Sequence, residues 1–233
     1  MKTVCLKQYF DKESSTYTYI LFDKNTRKGV IIDPVLDQLE RDIDSIKKLN
    51  LNIEGILETH VHADHITAAY QLKKIITAPI YYGSKSGVEG SDYLLEHNES
   101  ISIENFEIKT LHTPGHTKES VSYYCCGMLF TGDTLFIGSS GRTDFQGGDP
   151  GMLYDSITKI LFSYPDNTRV YPAHDYTGKL FSTIGEEKLW NESVGQGMNK
   201  EKFIKTEKKK NRPYPKKINL AMPANMRCGK TKD

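Results

Sequence analysis

The sequence predicts an α/β (α+β) protein in which two stacked β-sheets are covered by helices. Runs that alternate apolar and polar residues occur in two separate halves of the chain, and each half is followed by segments with helical periodicity. A sheet with an apolar face and a helix with an apolar stripe must each bury that surface against another element. Two halves of this kind therefore favour two sheets packed face to face, with the helices outside.

The length and charge of the chain indicate one domain that acts on small molecules. Its 233 residues fit one domain, predicted over 1–233 with a short helical or extended carboxy-terminal tail from about residue 186. The 31 Lys and Arg residues nearly balance the 30 Asp and Glu residues, so the charge indicates neither a nucleic-acid nor a membrane partner. Small, roughly neutral substrates are compatible with this balance.

The amino terminus and the cysteines predict a cytoplasmic protein with reduced thiols. Residues 1–23 lack the long apolar core of a signal peptide, and no apolar run reaches transmembrane length. The cysteines show no C-x-x-C spacing, which favours free thiols over a disulfide framework. We interpret Cys228 as a buried, inert thiol, with redox sensitivity as the alternative.

The first half of the chain predicts four strands and two helices. Apolar residues at helical spacing predict a helix over 36–49. A second helix is predicted over 66–76, with Asp64 capping its first turn and Pro79 closing it. The predicted strands cover 4–10, 16–22, 30–32 and 53–57.

The second half of the chain has the same order of predicted elements, with strands first and helices later. A basic segment over 205–217 contains seven Lys and Arg residues and two prolines. We interpret it as a solvated surface turn, and a nucleic-acid arm is the alternative. The predicted strands cover 101–111, 121–124, 128–130 and 169–171, and the predicted helices cover 152–162, 186–190 and 200–208.

A histidine-rich motif, T-H-V-H-A-D-H, follows directly after the strand predicted at 53–57. His60 and His62 are two residues apart on an extended segment, so their side chains project to the same side. Asp64 and His65, at the start of the following helix, can point back to the same place. The motif predicts a metal-binding group at the end of this strand.

Three later motifs supply further metal-binding side chains, each after a β-like run. In L-H-T-P-G-H-T a Pro-Gly turn presents His116, in F-T-G-D-T a glycine precedes Asp133, and Y-P-A-H-D-Y places His174 at a strand end. The ligands are nitrogen and oxygen atoms without a thiolate, which suits zinc, iron or manganese. We expect His97 and His112 to be ordinary hydrogen-bonded imidazoles outside this group.

These motifs together resemble the metallo-β-lactamase superfamily. Within it the chain resembles the glyoxalase II-like branch, and more narrowly the persulfide dioxygenases. The narrower resemblance covers nearly the whole chain and implies an αββα sandwich of two mixed sheets, with metal bound at the loop edge between them. The matching motifs are E-T-H-V-H-A-D-H-I-T, H-T-P-G-H-T-K-E-S-V-S-Y, F-T-G-D-T-L-F-I-G, G-R-T-D-F-Q-G-G, Y-P-A-H-D-Y, S-T-I-G-E-E and P-A-N-M-R-C-G.

The resemblance implies one non-haem Fe(II) per chain, held by His60, His116 and Asp133, with zinc as an alternative metal. It also implies that glutathione persulfide, or a similar low-molecular-weight persulfide, is oxidised with O2 and water to sulfite and the thiol. The remaining motif residues then orient the ligands or bind a second metal. These residues are His62, Asp64, His65 and His174.

Two residues are implied as substrate contacts. Arg142 of the G-R-T-D-F-Q-G-G loop is placed against a glutathione carboxylate, and a loop-pinning ion pair to Asp144 or Asp149 is its alternative role. Tyr176 is placed near the substrate sulfur, with packing as its alternative role. The chain departs from the family where N-P-R is usual, because it has Asn-Glu-Ser at 191–193. This departure implies either a different thiol carrier or a lysine, such as Lys179 or Lys188, in place of the missing arginine.

Two rival functions stay open on the sequence. The first is a dinuclear zinc hydroxyacylglutathione hydrolase of the glyoxalase II type, in which Asp133 bridges two metals and a metal-bound hydroxide attacks a thioester. The second is a metal-binding or sensory protein without turnover. Metal identity, one metal or two, the thiol carrier, and monomer or homodimer all remain open at this point.

Overall fold

Two six-stranded β-sheets lie at the centre of the protein, described by a computed structural model that covers residues 3–231. The domain predicted over 1–233 also includes 1–2 and 232–233, which lie outside the described residues. The two sheets pack face to face and helices cover their outer faces, as the αββα prediction requires.

The first sheet comes from the amino-terminal part of the chain. Its first three strands pair antiparallel, and the third to the sixth pair parallel. The predictions omit the last two strands, because runs of four and three residues are too short to show a periodicity. In sheet order the strands are β1 (Val4–Asp11), β2 (Thr16–Asp23), β3 (Lys28–Ile32), β4 (Asn52–Leu57), β5 (Ile80–Gly83) and β6 (Tyr93–Leu95).

The second sheet and a small ribbon come from the rest of the chain. The ribbon pairs β11 (Leu135–Phe136) with β12 (Ser139–Ser140). The strands of the sheet are β7 (Ser100–Ile103), β8 (Phe106–His112), β9 (Val121–Cys125), β10 (Met128–Gly132), β13 (Arg169–Pro172) and β14 (Ser182–Thr183). Their order in the sheet is β14-β13-β10-β9-β8-β7, and β10 and β13 are parallel.

The helices lie outside the sheets. They are α1 (Leu39–Lys48), α2 (Ala69–Ile76), α3 (Pro150–Asp155), α4 (Ile184–Trp190), α5 (Lys200–Glu207) and α6 (Ile218–Asn225). After α3 the chain continues through a π turn at Ser156–Ile160 and a 3₁₀ turn at Leu161–Ser163, which covers the helix predicted at 152–162. Among the helices of residues 3–231, none combines the length and apolar character that crossing a bilayer requires.

Three apolar clusters fill the spaces between these layers. Strand β2 shows how the alternation of a strand serves two of them: Tyr19 and Leu21 face the second sheet, whereas Ile20 and Phe22 face α1 and α2. The third cluster lies between the second sheet and the helices α3 to α5. Because both faces of the central strands are covered, the prediction of stacked sheets flanked by helices is confirmed.

The cap predicted for α2 is wrong. The helix begins at Ala69 instead of residue 66, and the backbone N–H of Ala69 donates to Thr67 Oγ1 at 3.1 Å. Asp64 lies before the helix, where its carboxylate is 3.1 Å from His65 Nδ1 and accepts from the hydroxyl of Thr16 at 3.3 Å. The carboxylate contacts a histidine and the opposite strand, so it is not available to the first turn.

Helix α6 holds the histidine motif in place from the other end of the described chain. The amide Nδ2 of Asn225 donates to the carbonyl oxygens of His62 and His65, both at 2.8 Å. Its Oδ1 accepts from the backbone N–H of Thr67 at 3.0 Å, and the side chain is fully buried. One side chain therefore satisfies three backbone groups of a loop that has no regular hydrogen-bond ladder.

Asn225→Ala tests this contact. The substitution leaves three buried backbone groups without partners, so we expect it to lower the free energy of unfolding by roughly 2–4 kcal/mol. Asn219→Ala is the matched control, because Asn219 is exposed on the same helix. Urea unfolding followed by circular dichroism measures both, and an equal, small loss in the two variants would contradict the role of Asn225.

Candidate metal centre

The predicted metal ligands come from loops that leave both sheets at one edge of the sandwich. His60 follows β4, His116 follows β8, Asp133 follows β10 and His174 follows β13. Strands β10 and β13 are parallel neighbours, so the loops after them start side by side. The fold therefore brings together side chains that are more than a hundred residues apart in the chain.

Gly132 allows the two sheets to approach each other at this edge. Its φ of 53° lies in the left-handed region, and a Cβ atom there would lie 2.6 Å from Thr59 Oγ1. Any side chain at this position would therefore push Asp133 away from the histidine motif. The glycine of F-T-G-D-T is required for this close contact as well as for the turn.

Three predicted ligands converge in the described residues. One ligand atom from each of His60, His116 and Asp133 lies within 4.8 Å of the others, and all three residues are buried. Imidazole nitrogens and a carboxylate oxygen at this spacing suit a transition metal. The three side chains thus form the core of the candidate centre.

Hydrogen bonds orient both histidines of this core. Nδ1 of His116 lies 2.8 Å from the carbonyl oxygen of Arg142, which can only accept, so Nδ1 carries the proton and Nε2 is free. The hydroxyl of Thr59 donates to Asp33 Oδ2 at 2.9 Å and lies 3.0 Å from His60 Nδ1. It therefore accepts from Nδ1–H of His60, and Nε2 of this histidine is also free to bind a metal.

The carboxylate of Asp133 also fits a cation. Its Oδ1 is buried and has no hydrogen-bond partner among residues 3–231, and a buried carboxylate oxygen without a partner is costly. His174 Nε2 approaches this atom at 3.5 Å, and His116 Nε2 approaches Oδ2 at 3.4 Å. A metal ion held between these groups would satisfy the carboxylate.

His62 lies beside the three ligands but faces two carboxylates. Its Nε2 is 3.2 Å from Asp33 Oδ1 and 3.4 Å from Glu58 Oε2. Burial has the largest single effect and lowers the pKa of His62, but the charges and hydrogen bonds of Asp33 and Glu58 together outweigh it and raise this pKa well above its ordinary value. Burial also raises the pKa of Glu58, whose Oε1 accepts from the hydroxyl of Thr67.

The other motif residues form a second group next to the first. Ligand atoms of His62, Asp64 and His65 lie within 4.8 Å of one another. His174 donates its Nδ1–H to the carbonyl oxygen of Ser15 at 3.1 Å, which leaves its Nε2 3.6 Å from Asp64 Oδ2. The predicted supporting residues therefore lie around the three ligands, and part of this set could hold a second ion.

A cavity of about 260 Å³ opens above the ligands. Arg142 and Tyr176 both line it, and the ring of Tyr176 stacks on that of His174 with centroids 6.0 Å apart. The guanidinium of Arg142 pairs with Asp144 through two hydrogen bonds of 2.7 Å. This is the ion pair anticipated as its alternative role, and it leaves few donors of Arg142 for a substrate.

The remaining histidines and Cys228 lie where the sequence predicted. His97 Nδ1 accepts from the backbone N–H of His112 at 3.0 Å, and neither residue belongs to a metal-binding group of residues 3–231. Cys228 is buried, and burial raises the pKa of its thiol to about 12. A thiol with such a pKa is almost entirely protonated at neutral pH and therefore a poor nucleophile.

The sequence motifs missed Asp33 and Thr59 as functional residues. Asp33 follows β3 and accepts from the backbone N–H of Thr59 at 2.8 Å as well as from its hydroxyl. A carboxylate directly after a buried run, in I-I-D-P, was the available signal, because β3 and β4 are parallel and end at the same edge. Neither residue is a ligand, so a search for ligands alone does not find them.

Comparisons with known proteins agree with this geometry. A family model described as "Metallo-beta-lactamase superfamily" matches residues 12–174. "Persulfide dioxygenase ETHE1, mitochondrial" from Bos taurus is 40% identical over 228 residues, which cover 97% of this chain and 89% of that protein. The Homo sapiens protein of the same name is 39% identical, and the match covers the same shares of this chain and of that protein. The crystal structure of ETHE1 from Myxococcus xanthus superposes with a TM-score of 0.94 at 43% identity, covering 97% of this chain and all of that one.

Thr59→Val tests the contact between Asp33 and His60. Valine has nearly the shape of threonine but lacks the hydroxyl that accepts from His60 Nδ1, so the imidazole loses its fixed orientation. We expect the affinity for a divalent metal ion, either iron(II) or zinc(II), to fall about tenfold or more. Competition with a chelating dye measures it, and Thr59→Ser, which keeps the hydroxyl, serves as the control. Equal affinities in the valine and serine variants would contradict the role of the hydroxyl.

Proposed function

The chain belongs to the metallo-β-lactamase superfamily, in the family of the ETHE1-type persulfide dioxygenases, and we propose that it is a non-haem iron(II) persulfide dioxygenase. Its proposed substrate is glutathione persulfide or a similar low-molecular-weight persulfide. The observation that carries the proposal is the convergence of His60, His116 and Asp133 in one buried group. Relatives at about 40% identity over almost the whole chain support it.

The proposed reaction balances without an organic cofactor. A persulfide R-S-SH, O2 and water give the thiol R-SH, sulfite and two protons. The outer sulfur loses four electrons and O2 gains them, while the S–S bond is replaced by an S–H bond on the carrier. Iron(II), if held by His60, His116 and Asp133, would supply the redox chemistry toward O2 and sulfur.

The protein holds the proposed ligands in fixed orientations. Thr59 and the carbonyl of Arg142 fix the imidazoles of His60 and His116, and His174 approaches the carboxylate of Asp133. Groups held in this way need no rearrangement when substrate arrives, which is how a preformed site contributes to rate. We propose that Tyr176, on the cavity wall, donates a hydrogen bond near the substrate sulfur.

The proposal of iron instead of zinc rests on the donor set together with the family membership. Two histidines and one carboxylate are typical of oxygen-activating iron, whereas catalytic zinc usually has three protein ligands of similar type and a bound water. The donors by themselves fit either metal. The family membership supports the oxidation chemistry, and iron is therefore part of the proposal.

A dinuclear zinc hydroxyacylglutathione hydrolase is the second candidate. The observation that favours it is the second group, His62, Asp64 and His65, whose ligand atoms also lie within 4.8 Å of one another. Two zinc ions, one at each group and with Asp133 shared between them, would supply an activated water molecule for attack on a thioester. The relatives described above carry the name of a dioxygenase, and this supports the first candidate.

We also propose a cytoplasmic location, which the free state of all four cysteines in residues 3–231 supports. The names of the two mammalian relatives place those proteins in mitochondria. A homodimer stays a prediction from the sequence.

Metal analysis combined with oxygen uptake tests the proposed function. We expect one iron per chain, and O2 consumption that depends on glutathione persulfide and yields sulfite. Two zinc ions per chain, no O2 consumption and hydrolysis of S-lactoylglutathione would overturn it in favour of the hydrolase. Bound metal without either activity would point to the metal-binding or sensory alternative.

Single alanine variants test the one-metal arrangement. We expect His60→Ala to lower the iron content per chain about tenfold or more. We expect His174→Ala to keep most of the iron, because His174 contacts Asp133 without being a proposed ligand. His112→Ala is the control outside the centre. Iron content by plasma emission spectrometry measures all three. A similar loss in the His60 and His174 variants would indicate a dinuclear centre.

A further inference from the structure

The turn between β9 and β10 carries two adjacent cysteines that the candidate metal centre does not use. Met128 pairs with Cys125, so Cys126 and Gly127 form a two-residue turn. Their φ angles of 50° and 80° are both positive, as a type I′ turn requires. The turn lies at the start of β10 and Asp133 follows its end, so the turn and the metal centre are roughly 15 Å apart along this strand.

Cysteine is an unusual residue at the first position of this turn. A positive φ disfavours residues with a Cβ atom, and type I′ turns prefer asparagine, aspartate or glycine at this position. Cys126 therefore has a backbone conformation that other residues adopt at lower cost. An unfavourable conformation that the surrounding structure maintains is a reason to look for a function.

The same conformation turns both thiols to one side of the hairpin. Successive side chains of a regular strand point to opposite faces. Cys126 interrupts this alternation, and both Cys125 and Cys126 pack in the apolar cluster between the two sheets. Their thiols are hydrogen-bonded to each other. The turn therefore brings two sulfur atoms together from neighbouring residues.

A disulfide between these two cysteines is unfavourable. Both are free thiols, and the peptide bond that joins them is trans. Adjacent Cα atoms are then about 3.8 Å apart, whereas disulfides usually join Cα atoms about 4.4–6.8 Å apart. A disulfide here would be strained and easily reduced, so the pair is available as two thiols.

A third sulfur atom belongs to the same hairpin. Met128 lies opposite Cys125, and directly opposed side chains share a face with their Cβ atoms roughly 4.5–5.5 Å apart. Met128 packs against the same apolar cluster as the two cysteines. Two thiols and one thioether on one face of a hairpin form a soft donor set for a metal ion.

An open cavity gives access to this donor set. The cavity has a volume of about 770 Å³, and Cys126 and Met128 line it. Its lining, within the described residues, has neither a histidine nor a carboxylate, so metal ions that prefer nitrogen and oxygen ligands find none there. Arg169, opposite Met128 on β13, lines the same cavity, and its positive charge favours thiolates.

We propose that Cys125, Cys126 and Met128 bind a soft monovalent metal ion, copper(I), at a site separate from the candidate metal centre. The proposal does not depend on the proposed function. Thiolates and a thioether select copper(I), whereas the nitrogen and oxygen donors of the centre suit iron or zinc. Binding exchanges two thiol protons for one Cu⁺ ion, which leaves one negative charge beside Arg169.

Copper(I) itself is the probe that tests the site. Competition with bathocuproine disulfonate, without oxygen, measures the affinity of the iron-loaded protein for copper(I). We expect one copper(I) per chain, bound less tightly as the pH falls, because protons compete for the two thiolates. X-ray absorption at the copper edge should show sulfur neighbours only.

The variants are chosen to keep the fold. Cys126→Asn removes one thiol but introduces the residue that the turn prefers, so we expect the midpoint of thermal unfolding to stay equal or rise. Loss of an outer partner of a ligand costs roughly 10–100-fold in metal affinity, so we expect loss of this ligand to cost about a hundredfold or more. Met128→Leu conserves the volume and should cost about tenfold.

Cys5→Ala is the matched control. Cys5 packs in the cluster on the other face of the first sheet, so we expect its loss to leave copper(I) affinity unchanged. Unchanged affinity in Cys126→Asn, an equal loss in Cys5→Ala, or nitrogen neighbours of copper in the unmodified protein would overturn the proposal. If the copper results are as expected while oxygen uptake with glutathione persulfide is absent, the proposed function fails and the copper site stands.

Discussion

The metal centre depends on the buried carboxylate of Asp33, which ties the histidine motif to the first sheet. It accepts from the backbone N–H and the hydroxyl of Thr59, and it also lies 3.2 Å from Nε2 of His62. These contacts fix the direction in which the chain leaves β4 and the orientation of His60 through Thr59. A charge in this position is costly unless every oxygen is paired, and here the pairing partners belong to the functional loop. Loss of the loop geometry would therefore also destabilise the core beneath it.

Much of the fold and the ligand set could be predicted because both depend on local patterns. The β-like run at 16–22 predicts a strand, which the structure buries along its whole length, and the motif T-H-V-H-A-D-H places its ligands within a few residues. What could not be predicted depends on contacts between distant residues. The amide of Asn225 meets the carbonyl of His65 across 160 residues, and nothing in P-A-N-M-R-C-G indicates its partner.

The same limit explains the interpretation that the structure corrects. Asp64 has the right residue type and position for a helix cap, but Thr16, from another strand, and His65 engage its carboxylate. Most side chains of the basic segment 205–217 are exposed, which agrees with its interpretation as a solvated surface turn, but part of the segment also lines the cavities beside the site. Its position against the site is determined by the backbone carbonyl oxygens of Arg212 and Pro213, which accept from Arg142. Every residue has a carbonyl oxygen, so the sequence does not indicate which ones make such a contact. Interactions made by the backbone are therefore the part of the site that residue patterns describe least well.

Asn225 of α6, which holds the histidine loop, affects the order in which the metal centre is completed during synthesis of the chain. The loop that carries His60 is synthesised early, but Asn225, whose side-chain amide holds this loop, follows His65 by 160 residues. During translation the first sheet can form while this loop still lacks the partner for its carbonyl groups. While the chain is still on the ribosome, the metal-binding loop would therefore be incompletely stabilised. Stable binding of metal would follow the synthesis of α6. The binding of metal by this protein is in that sense a post-translational step, in which the metal ions available at that moment compete for the site.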